Sequence, residues 1–226
     1  MSSYPFSFVI PVRNEAPVLR ELLMTLQRDF PGAERVVVDG GSDDDSVREA
    51  MPLSDQLLLS DPGRATQMNL GARAARGDYL LFLHADTRPE FTAKALQQWR
   101  LGDPHWGFCR VRLSGNVRAL RVVERAMNLR SRLTGIATGD QVLAVRREWF
   151  LALGGYAEQP LMEDVELCGR LRTQVSPVLL PGRVCTSSRR WEERGVWRTV
   201  AQMWWLRLAY FLGVSPARLH RSYYGG

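Results

Sequence analysis

An alternation near the N-terminus constrains the fold more than any other feature. Between positions 6 and 83, four short β-branched or aliphatic runs alternate with segments of helical spacing. FSFVIPV, positions 6–12, is apolar at consecutive positions, as expected of a strand buried on both faces, and Pro11 and Asn14 end it. Pro17 then stands where a first helical turn tolerates proline, and Leu19, Leu22, Leu23 and Leu26 form one apolar face. ERVVVDGGS (34–42) reads as a second strand running into a Gly-rich turn. Positions 44–51 read as a short helix and QLLLS (56–60) as a third strand. Positions 65–75 carry the small-residue spacing of a helix closed by Gly77, and 78–83 are a fourth strand that Arg88-Pro89 cut off. Strand–helix repetition of this kind predicts an α/β fold with a mostly parallel, Rossmann-like sheet covered by helices on both faces.

In such a sheet, ligands bind beyond the carboxyl ends of the strands. Pro11-Val12-Arg13, Asp39-Gly40-Gly41 and His84-Ala85-Asp86 all fall at those ends. The second half is less regular. WGFCRVRLSG alternates like an edge strand, and 117–133 is an arginine-rich amphipathic helix. GDQVLAVRREWFLALGGY reads as strand, helix and glycine stop, and 162–172 as a helix opened by acids. The last segment predicts one long amphipathic helix with three tryptophans, ended by Gly213 and Pro216. At 226 residues the chain suits one α/β domain, positions 1–190, divided near 88, with a helical extension at 191–226.

The formal charge is +6, and Lys94 is the only lysine, so the positive charge is almost all arginine, which favours bidentate phosphate recognition. A nucleic-acid binder would share that charge, but acids at three strand ends would repel a phosphate backbone. A dehydrogenase is disfavoured because no GxGxxG follows the first strand, and a nucleotidyltransferase because the N-terminal region carries no lysine. Cys109, Cys168 and Cys185 are odd in number and form no CxxC, so neither a disulfide framework nor a zinc site is expected, and the chain reads as cytoplasmic. MSSYPFSFVIPVRNE lacks the basic region and cleavage site of a secretory leader, and no apolar run is long enough to span a membrane.

Several constellations carry chemistry. Asp39 before two glycines suits either hydrogen bonding to a base or ribose, or an Asx turn of its own. Asp43, Asp44 and Asp45 read as a solvated helix N-terminus. Arg64, just before a helix, either shares an anion with the helix N-terminus or is an ordinary surface arginine. Asp86, at a strand's carboxyl end, has the hard oxygen that Mg²⁺ or Mn²⁺ prefers; His84 is either a second ligand or a hydrogen-bonding neighbour. Glu163 and Asp164 open a helix whose dipole favours their anionic forms, and they gain weight as general-base candidates because histidines are few. Arg189, Arg190 and Trp191 form either a phosphate clamp or a basic surface.

Taken in order, VIPVRNE, VVDGGSDD, GDYLLFLHADT and MEDVELCGRL resemble the motifs of family 2 glycosyltransferases of the GT-A fold, over roughly positions 6–172. The finer pattern, with HADT and SSRRWEERGVWRT, is similar to a bacterial subgroup of short single-domain members often labelled by association with arsenosugar biosynthesis. The resemblance implies an inverting, metal-dependent transfer of a sugar from a nucleotide-diphosphate sugar, UDP before GDP, to an acceptor hydroxyl. A catalytically degenerate nucleotide-sugar binder is the alternative. It implies that Pro11, Arg13, Glu15, Asp39, Arg64 and Ala85 border the nucleotide, and that Asp86, with or without His84, holds Mn²⁺ or Mg²⁺ where relatives have DxD. Asp164, with Glu163 beside it, stands at the catalytic base, and Asp140, Arg190 and Trp191 stand on the acceptor or phosphate side.

Three departures matter. Arg13 occupies a position that is often aromatic, His84 replaces the first acid of DxD, and Ser187 replaces the glutamine of QxxRW. Trp197, Trp204, Trp205, Leu208 and Phe211, with Arg198 and Arg207, resemble an interfacial helix resting peripherally on the inner face of a membrane. The same face would also serve to pack on the catalytic domain or on a second subunit of a homodimer.

Overall fold

A computed structural model describes residues 4–224. The first three positions of the expected 1–190 unit, and the last two of the 191–226 unit, lie outside the described residues, as does the start of MSSYPFSFVIPVRNE.

Four strands form the expected parallel array: β1 (Tyr4–Val12), β2 (Glu34–Asp39), β3 (Gln56–Leu59) and β4 (Gly77–Phe82). They alternate with α1 (Ala16–Asp29), α2 (Ser46–Ala50) and α3 (Arg64–Ala74). The strand order is β3-β2-β1-β4, continued by β8 (Leu143–Arg146) and β6 (Trp106–Phe108), with β8 antiparallel to both of its neighbours. The sheet is therefore mixed at one side and parallel through the rest. Winding proceeds outward from β1 to β2 and β3, then resumes on its other side with β4. The reversal opens a crevice between the carboxyl ends of β1 and β4, where an α/β sheet binds ligands.

Val9, Val36 and Val38 pack under α3, and Phe8, Ile10 and Leu81 pack with Leu19, Leu22, Leu23 and Leu26 of α1. Both faces of the central strands are thus dry, which is why those strands read as unbroken apolar runs. Gly71 lets α3 lie this close, since a Cβ there would sit 2.5 Å from Val9 Cγ1. At the other end of the strands the carboxylate of Glu34, fully buried, accepts from Ser7 Oγ at 2.5 Å, Gln56 Nε2 at 2.7 Å and the backbone N–H of Arg76 at 2.7 Å. One side chain therefore ties together β1, β2, β3 and the entry to β4.

Several expectations need correction. WGFCRVRLSG is not one edge strand. It divides at Cys109 into β6 and β7 (Arg110–Leu113), because the Cys109 N–H turns to Gln141 O at 2.8 Å and takes the chain out of the first sheet. Arg88-Pro89 do not end regular structure. Thr87–Glu90 forms β5, the edge of a second sheet β5-β9-β7 completed by β9 (Arg183–Thr186), and an edge is where a strand tolerates proline. The expected helices appear as α5 (Arg118–Thr134), α6 (Arg147–Ala152) and α7 (Glu163–Gln174), and α4 (Ala93–Leu101) is additional. Nor is the C-terminal segment one helix. Gly195, with φ of 84°, separates α8 (Arg189–Arg194) from α9 (Val196–Phe211), and α10 (Pro216–Tyr224) follows. Leu206, Ala209, Leu219 and Tyr223 join the main core, so the extension packs on the rest of the fold. All three cysteines are buried and free. Among the described residues no helix is long and apolar enough to cross a membrane.

Candidate active site

The loops leaving β1 and β2 are stitched to each other. Asn14 takes a positive φ of 57°; its N–H donates to Ser42 Oγ at 2.9 Å, and its side-chain carbonyl accepts from Asp43 N at 2.8 Å. Gln67, buried on α3, donates through Nε2 to Val12 O at 2.9 Å and Val38 O at 2.8 Å, fixing both strand ends at once. Asp39 resolves toward its turn: Oδ2 accepts from Gly41 N and Ser42 N at 3.0 Å each, and Oδ1 accepts from Ser42 Oγ. Its carboxylate shapes the loop. Pro11 is half-buried in β1 and Ala85 is buried in the core, while Arg13 is exposed at the crevice.

Beyond β4, His84 and Asp86 reach the same crevice. Burial first, and the Arg64 guanidinium second, lower the pKa of His84 to about 4, against the opposing pull of Asp86 and Asp164; the imidazole is neutral at pH 7. Its ring rests on Gly139, where a Cβ would lie 2.4 Å from Cε1, and Nδ1 is 3.9 Å from Asp140 Oδ1. Asp86 Oδ1 accepts from the Thr87 hydroxyl at 3.2 Å, and among the described residues no other hydrogen bond reaches the carboxylate. Across the crevice Glu15 has its pKa raised by burial, then by the charge of Asp86, with Arg189 and Arg64 opposing.

The acids of α7 arrive from a distant part of the chain. Met162 takes a left-handed φ of 66°, a conformation that costs a non-glycine residue energy and turns the chain abruptly into α7. Asp164 follows, its Oδ2 accepting from Gly139 N at 2.8 Å and its Oδ1 from Val165 N at 2.7 Å. The 3₁₀ turn Gly139–Gln141 thus supports His84 with its backbone face and anchors Asp164 with an N–H. Glu163 is buried beside it, and burial, then the charge of Asp164, raise its pKa to about 7. His84, Gly139, Glu163 and Asp164 line one small cavity with Met68 and Phe82. Asp140 has its pKa raised by burial, against the guanidinium charges of Arg64 and Arg190.

Most residues singled out from the sequence therefore meet at the strand reversal. Trp191 is the exception, for its indole packs on the small cluster of Leu113, Leu120 and Val123. Arg190 stacks over Tyr223, 5.6 Å from the ring centroid, and so ties α8 to α10. Gln67 and Gly139 were missed. A buried glutamine inside a small-residue helix is a sequence signal for the first; nothing local marks the second.

The donor set fits a divalent cation in one way only. Asp86 has an unpartnered oxygen and His84 is neutral, but among the described residues no three His, Cys, Asp or Glu side chains converge. A cation here would complete its shell with substrate oxygens, as Mg²⁺ at phosphate sites does.

The description "Glycosyl transferase family 2" matches residues 7–105, from β1 to the start of β6. Over that span, a little under half of the chain, the sequence is similar to glycosyl transferase family 2. Two mycobacterial relatives, from Mycobacterium bovis and Mycobacterium tuberculosis, are named PGL/p-HBAD biosynthesis glycosyltransferase. Each is 38% identical over 94 residues, covering 38% of this chain and 37% of the relative. The match thus spans little more than a third of those proteins. Among solved structures, the mannosyltransferase PcManGT from Pyrobaculum calidifontis, in complex with GDP-Man and Mn²⁺, superposes with a TM-score of 0.59. It is 23% identical and covers 81% of this chain and 56% of that one. Glucosyl-3-phosphoglycerate synthase from Mycobacterium tuberculosis, with Mg²⁺ and UDP, gives 0.55 at 17% identity, covering 80% and 70%. The fold of this chain is accordingly GT-A.

Proposed function

We propose that the protein transfers a sugar from a nucleotide-diphosphate sugar to an acceptor hydroxyl with inversion at the anomeric carbon. One observation carries this reading. A carboxylate anchored by a backbone N–H, Asp164, meets the mouth of the β1–β4 crevice at which Asp86 emerges. Residues 1–88 would hold the nucleotide and 89–190 the acceptor.

The geometry supports the following roles. Asp164 takes the proton of the acceptor hydroxyl, whose oxygen then bonds to the anomeric carbon as the bond to the diphosphate breaks on the opposite side. Two backbone N–H groups fix the orientation of Asp164 while each oxygen keeps a lone pair for the proton. General-base assistance of this kind is worth about 10²–10⁴-fold. Arg64 and Arg190, both exposed at the crevice, face the negative charge that grows on the leaving group. Neutral His84 positions the Gly139 turn. When bound, a divalent cation shared by Asp86 and the diphosphate would neutralise part of the leaving-group charge. Related structures that hold GDP-Man with Mn²⁺, or UDP with Mg²⁺, support Mn²⁺ or Mg²⁺ and leave UDP and GDP both to be tried.

Asp164→Asn is the test. Turnover of UDP- and GDP-sugars, with and without Mn²⁺, should disappear while nucleotide binding persists; an Asn variant that keeps most of its activity overturns the assignment. Wild-type protein that binds but never turns over would be the degenerate binder.

A second feature supports peripheral membrane contact. Trp197, Trp204, Trp205, Leu208 and Phe211 of α9 are each more than half exposed. No Asp or Glu occurs after Glu193. An aromatic face beside arginines and without acids suits an anionic lipid surface. Flotation with vesicles containing phosphatidylglycerol should carry the protein upward; failure to float excludes the contact.

A further inference from the structure

One charged cluster outside the residues assigned above lies near the Asp164 carboxylate yet has no ion-pair partner. Arg130 of α5 and Arg207 of α9 are half-buried where these helices pack, and Arg207 lies close enough to oppose the charge of Arg130. Among the described residues neither forms an ion pair. Arg130 donates through Nη2 to Ser131 Oγ at 3.0 Å and Gln141 Oε1 at 3.5 Å, while its Nε is buried without a partner. Among the described residues Arg207 makes no hydrogen bond, and its Nη2 is buried and unpartnered. Arg170 shows what a satisfied arginine at comparable depth looks like in this molecule. It takes both oxygens of Glu166, with Leu153 O at 2.8 Å and Gly155 O at 2.6 Å besides.

The pair stands beside Asp164. Gln141, which receives Arg130, belongs to the same 3₁₀ turn whose Gly139 N–H anchors Asp164. Cys168, one helical turn past Asp164, feels both guanidiniums as well as that carboxylate. Burial first and Arg207 second push the pKa of Arg130 down to about 10, and burial lowers that of Arg207. Asp164 attracts both guanidiniums but hydrogen-bonds to neither, so their buried N–H donors stay unused, and the planar guanidinium fork matches phosphate oxygens.

We propose that Arg130 and Arg207 form a receiving site for a phosphate group carried by the acceptor, holding it next to Asp164. The proposal rests on Asp164 being the base. It adds that the acceptor is an anion, its phosphate either a lipid headgroup or part of a soluble molecule.

Titration of inorganic phosphate into protein pre-filled with UDP and Mn²⁺, read by calorimetry and thermal denaturation, tests the site. Phosphate should raise the wild-type Tm. Arg207→Met should raise Tm without phosphate, because a buried, unpartnered N–H donor is gone, yet bind phosphate at least about tenfold more weakly. Arg130→Met should lose phosphate binding similarly, and Arg198→Met, on the exposed side of α9, should keep it. Should either Met variant fail to fold, Arg207→Lys retains the charge but not the fork and should still lose affinity. A second arm replaces phosphate with phosphatidylcholine vesicles carrying phosphatidic acid. Arg207-dependent binding to these vesicles alone assigns a lipid headgroup, and Arg207-dependent binding of free phosphate assigns a soluble acceptor. Phosphate and vesicle binding that ignore both arginines overturns the site, as does a lower Tm in Arg207→Met with phosphate binding intact. The wild-type and variant difference is also read without UDP, so absence of UDP binding would count against the donor reading alone.

Discussion

Gly139→Ala is the smallest change that should uncouple the two halves of the site. The added Cβ would lie 2.4 Å from His84 Cε1 and 2.7 Å from Nε2, whereas ordinary contacts begin at 3.4 Å. Turn and ring must therefore separate by about 1 Å. The imidazole is enclosed in the crevice, its side chain only 14% exposed. The turn moves instead, and with it the N–H that holds Asp164 Oδ2 at 2.8 Å. A misplacement of about 1 Å in a reacting group costs about 10²-fold in rate. Loss of one hydrogen bond to a charged group, about 1.5–3 kcal/mol, gives the same order. Steady-state transfer or donor hydrolysis should therefore show kcat reduced about 10²-fold, with nucleotide affinity nearly unchanged if the loops after β1 and β2 hold the nucleotide as proposed. Gly169→Ala, within α7 and with open space around the new Cβ, is the control and should keep full activity. Wild-type kcat in Gly139→Ala would refute the reasoning that this turn aligns Asp164.

Three further outcomes follow from the same geometry. Burial works against the charge of Glu34, but hydrogen bonds from Arg76, Ser7 and Gln56 outweigh it and hold the pKa below the ordinary value. Glu34→Ala leaves an exposed Arg76 but strands the buried donors, and should cost about 1–3 kcal/mol, which for a chain of this size is a Tm loss of about 2–12 °C. Because the folded pKa is lowered, that contribution is present above the unfolded value of about 4.3 and disappears as pH falls through the folded one. Urea unfolding curves of the variant and wild type should therefore converge in acid, and parallel curves at all pH would contradict the network. Glu163 has the opposite sign: its folded pKa of about 7 exceeds the unfolded value, so stability declines as pH rises from about 4.3 to 7. Glu163→Gln should melt higher than wild type at pH 8 and nearly equal at pH 4, and a lower Tm at both would show a different role. Asp86→Ala should abolish the Mn²⁺-dependent part of UDP binding in calorimetry while leaving metal-free binding as it was; an undiminished Mn²⁺ effect would remove Asp86 from the cation site.

The first half of the fold was legible because both faces of β1, β2 and β4 are buried, so burial alone dictates their composition. The four-residue strands β5 and β9 were not. TRPE and RVCT are partly exposed, and one carries a proline, so they display no periodicity to read. Helix α4 could have been found from Thr92, whose hydroxyl accepts from Ala95 N at 3.2 Å as an N-cap does. The division at Cys109 could not, since it depends on a backbone contact with Gln141, far along the chain. Within the site, strand-end acids announced themselves, but Gly139 and Asp164 meet only through the tertiary fold. Arg130 and Arg207 look in sequence like the exposed Arg125 and Arg198; only helix packing separates the buried pair from the solvated ones.

How the carboxylates are held gives a division of labour that charge alone does not. Asp39 and Asp164 each receive two backbone N–H groups and are fixed before any ligand arrives. Asp86 receives one long hydroxyl contact and keeps an oxygen free at the crevice. A pinned carboxylate suits a reaction in which a proton must be taken from one direction, because no reorganisation is needed as charge develops. A loosely held one suits a cation whose remaining ligands come with the substrate, since its oxygen must adjust to a shell completed from outside. Exchanging the two roles would demand that the anchored acid swing and the mobile one stay still, and the hydrogen bonds of the β1–β4 crevice favour the opposite.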